Sequence, residues 1–415
     1  MVKSGGQSAC ATRNAGAVKA LATELAESCS RPWTLMEVCG GQTHAIVRAG
    51  LDQLLPEGVR LIHGPGCPVC VTPAGTIEQA LQLARRKDVI LCSYGDMLRV
   101  PGEGRETLLS VRAAGGDVRL LTSPLQALEL ARRNPQRQVV FLAVGFETTA
   151  PATALLARQA LALGATNLSL LTAHVRVSPA MGAILANPDN RVQAFLAAGH
   201  VCSVLGTAEL EQLVERWRVP VVVSGFEPME LMAGVLASVR QLEAGQARVE
   251  NAYGVVVRAE GNPEARRLLE EVFEPCDRPW RGLGWLAGGG LALRSTYRAL
   301  DAMQRFGLQE VAAEATPPCC DPHQPTPAAM ASTALSHQIA TADGQGCIAG
   351  SILRGLATPK QCPSFGTTCT PEQPLGAPMV SSEGACAAYF LYRRHSGTPL
   401  AGAGPEAHSA NAARC

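Results

Sequence analysis

Three cysteines within the first 70 residues have the type and spacing needed for thiol chemistry. Cys39 is followed by Gly40 and Gly41, and Cys67 and Cys70 form a C-x-x-C motif. A C-x-x-C motif holds two sulfurs close enough to form a disulfide or to chelate one metal ion. The paired glycines leave room for another group to approach the Cys39 sulfur. Three thiolates at one place would suit a soft or borderline metal, so the pattern predicts a redox or metal site.

A helix is predicted to begin directly after Cys39, and its dipole would favour the thiolate form of this cysteine.

The histidines near these cysteines differ in whether their positions predict a role at the same site. His44 lies five residues beyond Cys39 and is predicted to act at the same site. His63 and His200 each adjoin a glycine at the end of an apolar run, a pattern more typical of a buried core histidine.

A second group of cysteines lies near the C-terminus. Cys347, Cys362, Cys369 and Cys386 follow the spacing C-x14-C-x6-C-x16-C. Four cysteines without histidine suit either a [4Fe–4S] cluster or a tetrahedral zinc ion, and the adjoining prolines favour the cluster without excluding zinc. Five single cysteines are interpreted as structural or incidental: Cys10, Cys29, Cys92, Cys202 and Cys276.

Short apolar strands alternating with helical segments must position these groups. The predicted strands are Thr34–Val38, Val59–His63, Val89–Ser93, Val118–Leu121, Val139–Val144, Leu168–Leu171 and Val219–Val223. Continuous apolar strands are typical of parallel sheets covered on both faces, so the fold class is α/β. Functional groups collect at the carboxyl ends of parallel strands, where Cys39 and Cys67 both lie.

Composition excludes several function classes. Lys and Arg number 36 against 35 Asp and Glu, and aromatic residues make up only 4%, which disfavours nucleic-acid binding. No apolar run approaches the roughly 20 residues that span a bilayer, and no signal peptide is apparent. We therefore expect a cytoplasmic protein without a membrane or nucleic-acid partner. The odd count of 15 cysteines also argues against a secreted disulfide framework.

Several long motifs, in order over residues 34–390, resemble the HypD family of [NiFe]-hydrogenase maturation proteins. They are Met36–Ile46, Gly50–Pro56, His63–Val71, Gly145–Thr149, Gly225–Pro228, Trp280–Gly284 and Val380–Tyr389.

The resemblance implies a maturation scaffold rather than a conventional turnover enzyme. Such a scaffold assembles the Fe(CN)2CO group with HypC, takes cyanide from HypE, and passes the iron unit to the hydrogenase large subunit. By the same resemblance, Cys39 is the central iron-site thiol. Cys67 and Cys70 form a redox-active dithiol near it, toward which a [4Fe–4S] cluster passes electrons.

The resemblance also implies two Rossmann-like parallel-sheet domains and a mostly helical iron–sulfur domain. We place the α/β domains at residues 31–134 and 135–258, divided at a break near Asn134 and Pro135. The iron–sulfur domain takes residues 259–394 together with an N-terminal helix over 10–30. Residues 395–415 are predicted to be a disordered tail, and residues 312–346 a flexible connection.

One position departs from the family pattern. Ala349 stands where a cluster cysteine is expected, and Cys347, two residues earlier, is the predicted substitute. Cys319 and Cys320 are less favourable because they would have to order a long connection.

Two other functions remain open. One is a stand-alone thiol–disulfide oxidoreductase that uses Cys67 and Cys70, and the other is a zinc-stabilised binding protein with no redox role. Cys39 separates the first of these from the scaffold, because a simple dithiol enzyme does not need it.

Overall fold

The computed structural model describes residues 5–102, 104–309 and 346–393, with side chains from residue 15 onward. The predicted tail over 395–415 lies outside these ranges, as do Cys319, Cys320 and nearly all of the predicted connection. The N-terminal helix expected over residues 10–30 is present as Gly5–Ser28.

Eleven strands and fifteen α-helices are found in these ranges. The strands are β1 (Trp33–Glu37), β2 (Val59–His63), β3 (Val89–Ser93), β4 (Val118–Leu120), β5 (Gln138–Gly145), β6 (Leu168–His174), β7 (Ala194–Ala198), β8 (Val221–Ser224), β9 (Val249–Asn251), β10 (Phe273–Trp280) and β11 (Gly284–Leu293). The helices are α1 (Gly5–Ser28), α2 (Gly40–Ala49), α3 (Pro68–Val71), α4 (Ala74–Ala84), α5 (Leu108–Ala113), α6 (Leu125–Arg133), α7 (Ala150–Ala162), α8 (Val177–Ala186), α9 (Gly199–Leu205), α10 (Ala208–Trp217), α11 (Pro228–Glu243), α12 (Pro263–Val272), α13 (Ala302–Phe306), α14 (Ala349–Leu353) and α15 (Ala385–Arg393).

The first sheet, sheet A, has the strand order β2-β1-β7-β8-β9, and all its neighbours are parallel. Glu37 at the end of β1 is in register with His63 of β2 on one side and Leu196 of β7 on the other. Apolar side chains from both faces of the sheet are buried, Leu35 beneath α1 and α11 and Met36 in the core that includes α8 and α10. The carboxyl ends of β1, β2 and β7 therefore meet at one edge.

The second sheet, sheet B, has the order β4-β3-β5-β6, again with parallel neighbours. Its central strand β5 is buried from Val139 to Gly145, as its uninterrupted apolar sequence predicts. All four strands lie between β2 and β7 in the chain. The predicted boundary near residue 134 consequently does not separate the sheets, because each contains strands from both sides of it.

The C-terminal third departs from the mostly helical expectation. Strands β10 and β11 form an antiparallel hairpin with a register shift between Cys276 and Arg278. Two prolines in β10 and three consecutive glycines in β11 obscure this strand pattern in the sequence. At its turn, Trp280 packs against Phe146, with ring centroids 5.9 Å apart, so the hairpin contacts the loop after β5.

The predicted α/β class with two parallel sheets is confirmed. Strand β7, with the sequence Ala-Phe-Leu-Ala-Ala, is absent from the predicted strands although it lies at the centre of sheet A. In the described ranges, no helix combines the length and apolar character needed to cross a membrane.

Candidate thiol site and cysteine-lined pocket

Cys39 lies in the turn that joins β1 to α2. It has extended backbone angles, occupies the N-cap position of α2 without a side-chain capping hydrogen bond, and is only 2% exposed. The Gly40 N–H donates to the Gly66 carbonyl at 2.7 Å, and a Cβ on Gly66 would lie 2.2 Å from the Cys39 nitrogen. The loop that leads into Cys67 is therefore packed flat against Cys39, as the shared sheet edge predicts.

The two glycines after Cys39 allow other segments to approach closely. A Cβ on Gly40 would lie 2.5 Å from the Cβ of Glu383, and one on Gly41 would lie 3.2 Å from the Phe226 ring. Any side chain at Gly40 would thus displace the segment before α15. The close contacts explain why both positions are glycine, since a side chain at either one would crowd its neighbour. They also place two distant parts of the chain beside the thiol.

Glu37 is a buried carboxylate that organises this turn. Its Oε2 accepts the Cys39 N–H at 2.8 Å, while Oε1 accepts the Thr43 hydroxyl and lies 2.7 Å from His63 Nδ1. His63 Nε2 lies 3.2 Å from the hydroxyl oxygen of Tyr389 in α15. Three partners on one buried carboxylate fix the backbone at Cys39. The sequence motif contains Glu37, but its spacing alone does not reveal this role.

His200, at the start of α9, is the histidine beside the thiol. Its Nδ1 lies 3.7 Å from Cys39 Sγ, and its ring stacks on Phe226 with centroids 5.1 Å apart. Burial lowers the pKa of His200 to about 4, so the ring is neutral at neutral pH. The sequence predicts an ordinary core histidine at this position and does not predict the contact with Cys39. The reason is that β7, which ends directly before α9 and so positions His200, is not among the predicted strands.

His44 faces away toward the C-terminal segment. Its Nδ1 lies 3.1 Å from the Ser382 carbonyl oxygen, and its Nε2 lies 3.2 Å from the Tyr392 hydroxyl. Both ring nitrogens therefore contact α15 or the turn before it. His44 therefore packs against that segment, and the histidine that lies beside Cys39 in the described part of the chain is His200.

The Cys39 thiol is protonated at neutral pH in this environment. Burial raises its pKa well above the ordinary range, and the nearby carboxylates Glu37 and Glu383 add to the effect. Backbone N–H groups of Gln42 and Gly41 act in the opposite direction. The expected thiolate form is therefore disfavoured, because the effect of desolvation on the pKa is larger than that of the dipole at the N-terminus of α2.

Cys67 and Cys70 are joined in a disulfide at the start of α3. Both are buried, at 3% and 1% exposure. Arg281 braces this helix from the β10–β11 turn, donating its backbone N–H to the Val71 carbonyl at 2.8 Å and its Nε to the Thr72 carbonyl at 2.9 Å. The disulfide segment is therefore hydrogen-bonded to the turn of the β10–β11 hairpin.

The four C-terminal cysteines line one pocket. Cys347, Cys362, Cys369 and Cys386 all border it, together with apolar neighbours. The Leu375 N–H donates to Cys369 Sγ at 3.3 Å. Cys386 is the second residue of α15. Four sulfur donors around an apolar space fit the ligand set of a [4Fe–4S] cluster.

Cys347 reaches the pocket although it is displaced from the expected ligand position. Ala349 also lines the pocket, and a Cβ on Gly376 would lie 2.8 Å from Cys347 Sγ. The loop before α14 therefore presents both positions to the same space. Over the described residues, no group of three or more His, Cys, Asp or Glu side chains is placed so that it could hold a single metal ion.

Comparisons with known proteins match nearly the whole described chain. The family model HypD, described as "Hydrogenase formation hypA family", matches residues 16–393. The chain is 44% identical to the hydrogenase expression/formation protein HupD of Azotobacter chroococcum, covering 92% of this chain and 96% of that protein. It is 44% identical to the hydrogenase maturation factor HypD of Azotobacter vinelandii, over the same shares. It is 43% identical to that of Escherichia coli, covering 90% and 92%.

Proposed function

The chain belongs to the HypD family of hydrogenase maturation factors, and we propose that it is the scaffold on which an Fe(CN)2CO unit is assembled. In this proposal HypC shares the iron, HypE supplies cyanide, and the hydrogenase large subunit receives the finished unit. The observation that carries the proposal is the buried thiol of Cys39, held where three separate segments of the chain converge. These segments are the Cys67 loop, the start of α9 and the turn before α15.

Cys39 is suited to hold iron that arrives from a partner. Binding of a cation to sulfur favours the thiolate and releases the thiol proton. The neutral ring of His200 lies 3.7 Å from Cys39 Sγ, so it places no positive charge beside an arriving cation. Glu37 meanwhile keeps the backbone at Cys39 in place through its hydrogen bond to the amide.

Cys67 and Cys70 are suited to store two electrons beside the iron. Reduction of their disulfide takes up two electrons and two protons and gives two thiols, and reoxidation returns both. Cys347, Cys362, Cys369 and Cys386 would hold the [4Fe–4S] cluster, which when bound would supply electrons one at a time. Helix α15 supports such coupling because it carries both Cys386 and Tyr389, the latter in contact with His63.

The thiol–disulfide oxidoreductase alternative is less favoured by this geometry. Such an enzyme exposes one sulfur to its substrate, because exchange requires direct attack on that sulfur. Here both sulfurs are almost fully buried. The pair is better placed to serve a group bound at Cys39 than an external protein.

The test is to replace Cys39 with alanine and to purify the variant together with HypC. We expect the cyanide and carbonyl infrared bands to disappear while the fold is retained. Cys276→Ala serves as the matched control, since Cys276 is a half-buried cysteine on the β10–β11 hairpin. Bands of normal intensity in Cys39→Ala would refute the assignment.

A further inference from the structure

A small cavity separate from the Cys39 sulfur lies between α8, α9 and α10. Its walls are mainly apolar and include Val177 and Met181 from α8, Val201 from α9 and Leu210 from α10. The volume of this cavity that is available to the centre of a water molecule is about 30 Å³. Since one water needs roughly 10–15 Å³ by this measure, the cavity has room for about two waters or a molecule of similar size.

Glu147 places a carboxyl group in this apolar wall. It follows β5 in the Gly145–Thr149 motif and is only 2% exposed. Its Oε1 accepts the Val177 N–H at 2.9 Å. Its Oε2 is buried, and it has no hydrogen-bond partner within the described part of the chain. Leaving such a buried oxygen unsatisfied is unfavourable, so an occupant that bonds to it would be stabilised there.

The surroundings favour a neutral occupant. Burial raises the pKa of Glu147 to about 7, with a further contribution from Glu209, so the carboxylic acid form is accessible near neutral pH. Arg176, the cation near this carboxyl, is engaged by Glu209 at 2.6 Å and by the Gly288 carbonyl at 2.9 Å. An anion would therefore find no available cation from Arg176, and a cation would have to lose its water against apolar walls.

We propose that this cavity is a binding site for a neutral molecule of two or three heavy atoms that hydrogen-bonds to Glu147 Oε2. The site is distinct from the iron site of the proposed function. The two sites share α9, because His200 contacts Cys39 while Val201 and Cys202 border the cavity. Neither Glu147 nor Cys202 has a part in the scaffold mechanism above.

The test uses the full chain with labelled methyl groups and two probes of matched size, formamide and ethane. In the unaltered protein, we expect both probes to shift the methyl signals of Met181 and Val201 in a saturable way. Glu147→Met removes the hydrogen-bonding oxygen while keeping an unbranched side chain. We expect it to weaken formamide binding at least tenfold and to leave ethane binding within a factor of about two.

Two further variants keep the test decisive. Val201→Phe fills the cavity and should abolish the binding of both probes, even if Glu147→Met does not fold. Glu215→Gln removes a carboxylate from the exposed face of α10 and should change neither affinity. Shifts that grow linearly without saturation, or equal formamide affinity in the unaltered protein and Glu147→Met, would overturn the proposal.

Discussion

The Nε2 atom of His63 lies 3.2 Å from the hydroxyl oxygen of Tyr389, a contact that joins sheet A to the helix carrying Cys386. On its other side, the same imidazole lies 2.7 Å from the buried carboxylate of Glu37, which in turn accepts the amide of Cys39. A continuous chain of polar contacts thus runs from α15 to the thiol turn. Its members come from β1, β2 and α15, and α15 lies more than 300 residues beyond the two strands.

Replacing Tyr389 with phenylalanine should weaken the attachment of α15. The change removes one largely buried hydrogen bond, which contributes about 1 kcal/mol to the free energy of unfolding. Tyr392→Phe is the matched control, because Tyr392 is more exposed and contacts His44 instead. Chemical denaturation should show a loss of about 1 kcal/mol for Tyr389→Phe and under half of that for Tyr392→Phe. Equal losses would mean that the His63 contact contributes nothing particular.

Serine at Cys67 or at Cys70 should stop hydrogenase maturation, because either change prevents the disulfide from forming. The visible absorption of the cluster should remain, since the cysteine-lined pocket uses other cysteines. Hydrogenase activity in cells carrying each variant measures the first effect, and absorption of the purified protein measures the second. Cys276→Ser provides the control. Normal maturation in both single variants would rule out a redox role for the pair.

Replacing Cys347 with alanine should lower the cluster content or its tolerance of oxygen. The unaltered chain, reconstituted without oxygen, should contain about four iron and four sulfide per chain. Cys347 lines the same pocket as the three other cysteines and would supply the fourth thiolate. Cys319→Ala and Cys320→Ala are the comparison variants and should keep the full content. Unchanged content and stability in Cys347→Ala would show that another group completes the site.

Glu147 should make the protein less stable as the pH rises from about 4.5 to about 7. Burial raises the pKa of Glu147 from 4.5 to about 7, so in this window the folded state binds more protons than the unfolded state. Stability therefore falls with rising pH, and the loss is complete above about pH 7. Glu147→Gln removes the titration.

The free energy of unfolding of Glu147→Gln, measured relative to that of the unaltered chain, should consequently increase by roughly 2–3 kcal/mol as the pH rises from about 5 to about 8. Denaturation curves at both pH values measure the difference. Glu215→Gln, which alters an exposed carboxylate, should show no such trend. A pH-independent difference for Glu147→Gln would mean that Glu147 is already ionised at about pH 5.

The sequence was sufficient to predict where Cys39 and Cys67 meet, because both follow apolar strands of one parallel sheet. It could not predict the contact between His200 and Cys39. That contact depends on β7, whose sequence contains three alanines and has low β propensity, so only its pairing with β1 and β8 makes it a strand. The approach of Glu383 to Gly40 is equally invisible, since it depends on a packing contact across more than 300 residues of sequence.

The protonation state of the Cys39 thiol could also not be predicted from the sequence. A cysteine before a helix suggests a thiolate, but the extent of burial decides the balance, and burial depends on how α9 and the turn before α15 cover the sulfur. The gathering of Cys347 with Cys362, Cys369 and Cys386 could be predicted from their number. The placement of Cys347 in the same pocket as Ala349 required the fold of the loop before α14.

The nesting of sheet B between β2 and β7 has a consequence during synthesis. Strands β3 to β6 are consecutive in the chain and can pair as they leave the ribosome, whereas the pairing of β1 with β7 must wait for about 160 further residues. Until then, Cys39 has no contact with His200, and it lacks the turn before α15 for longer still, because that turn follows near residue 383. The nascent chain thus lacks the segments that cover this thiol through much of translation, and the candidate thiol site is completed only when α15 docks.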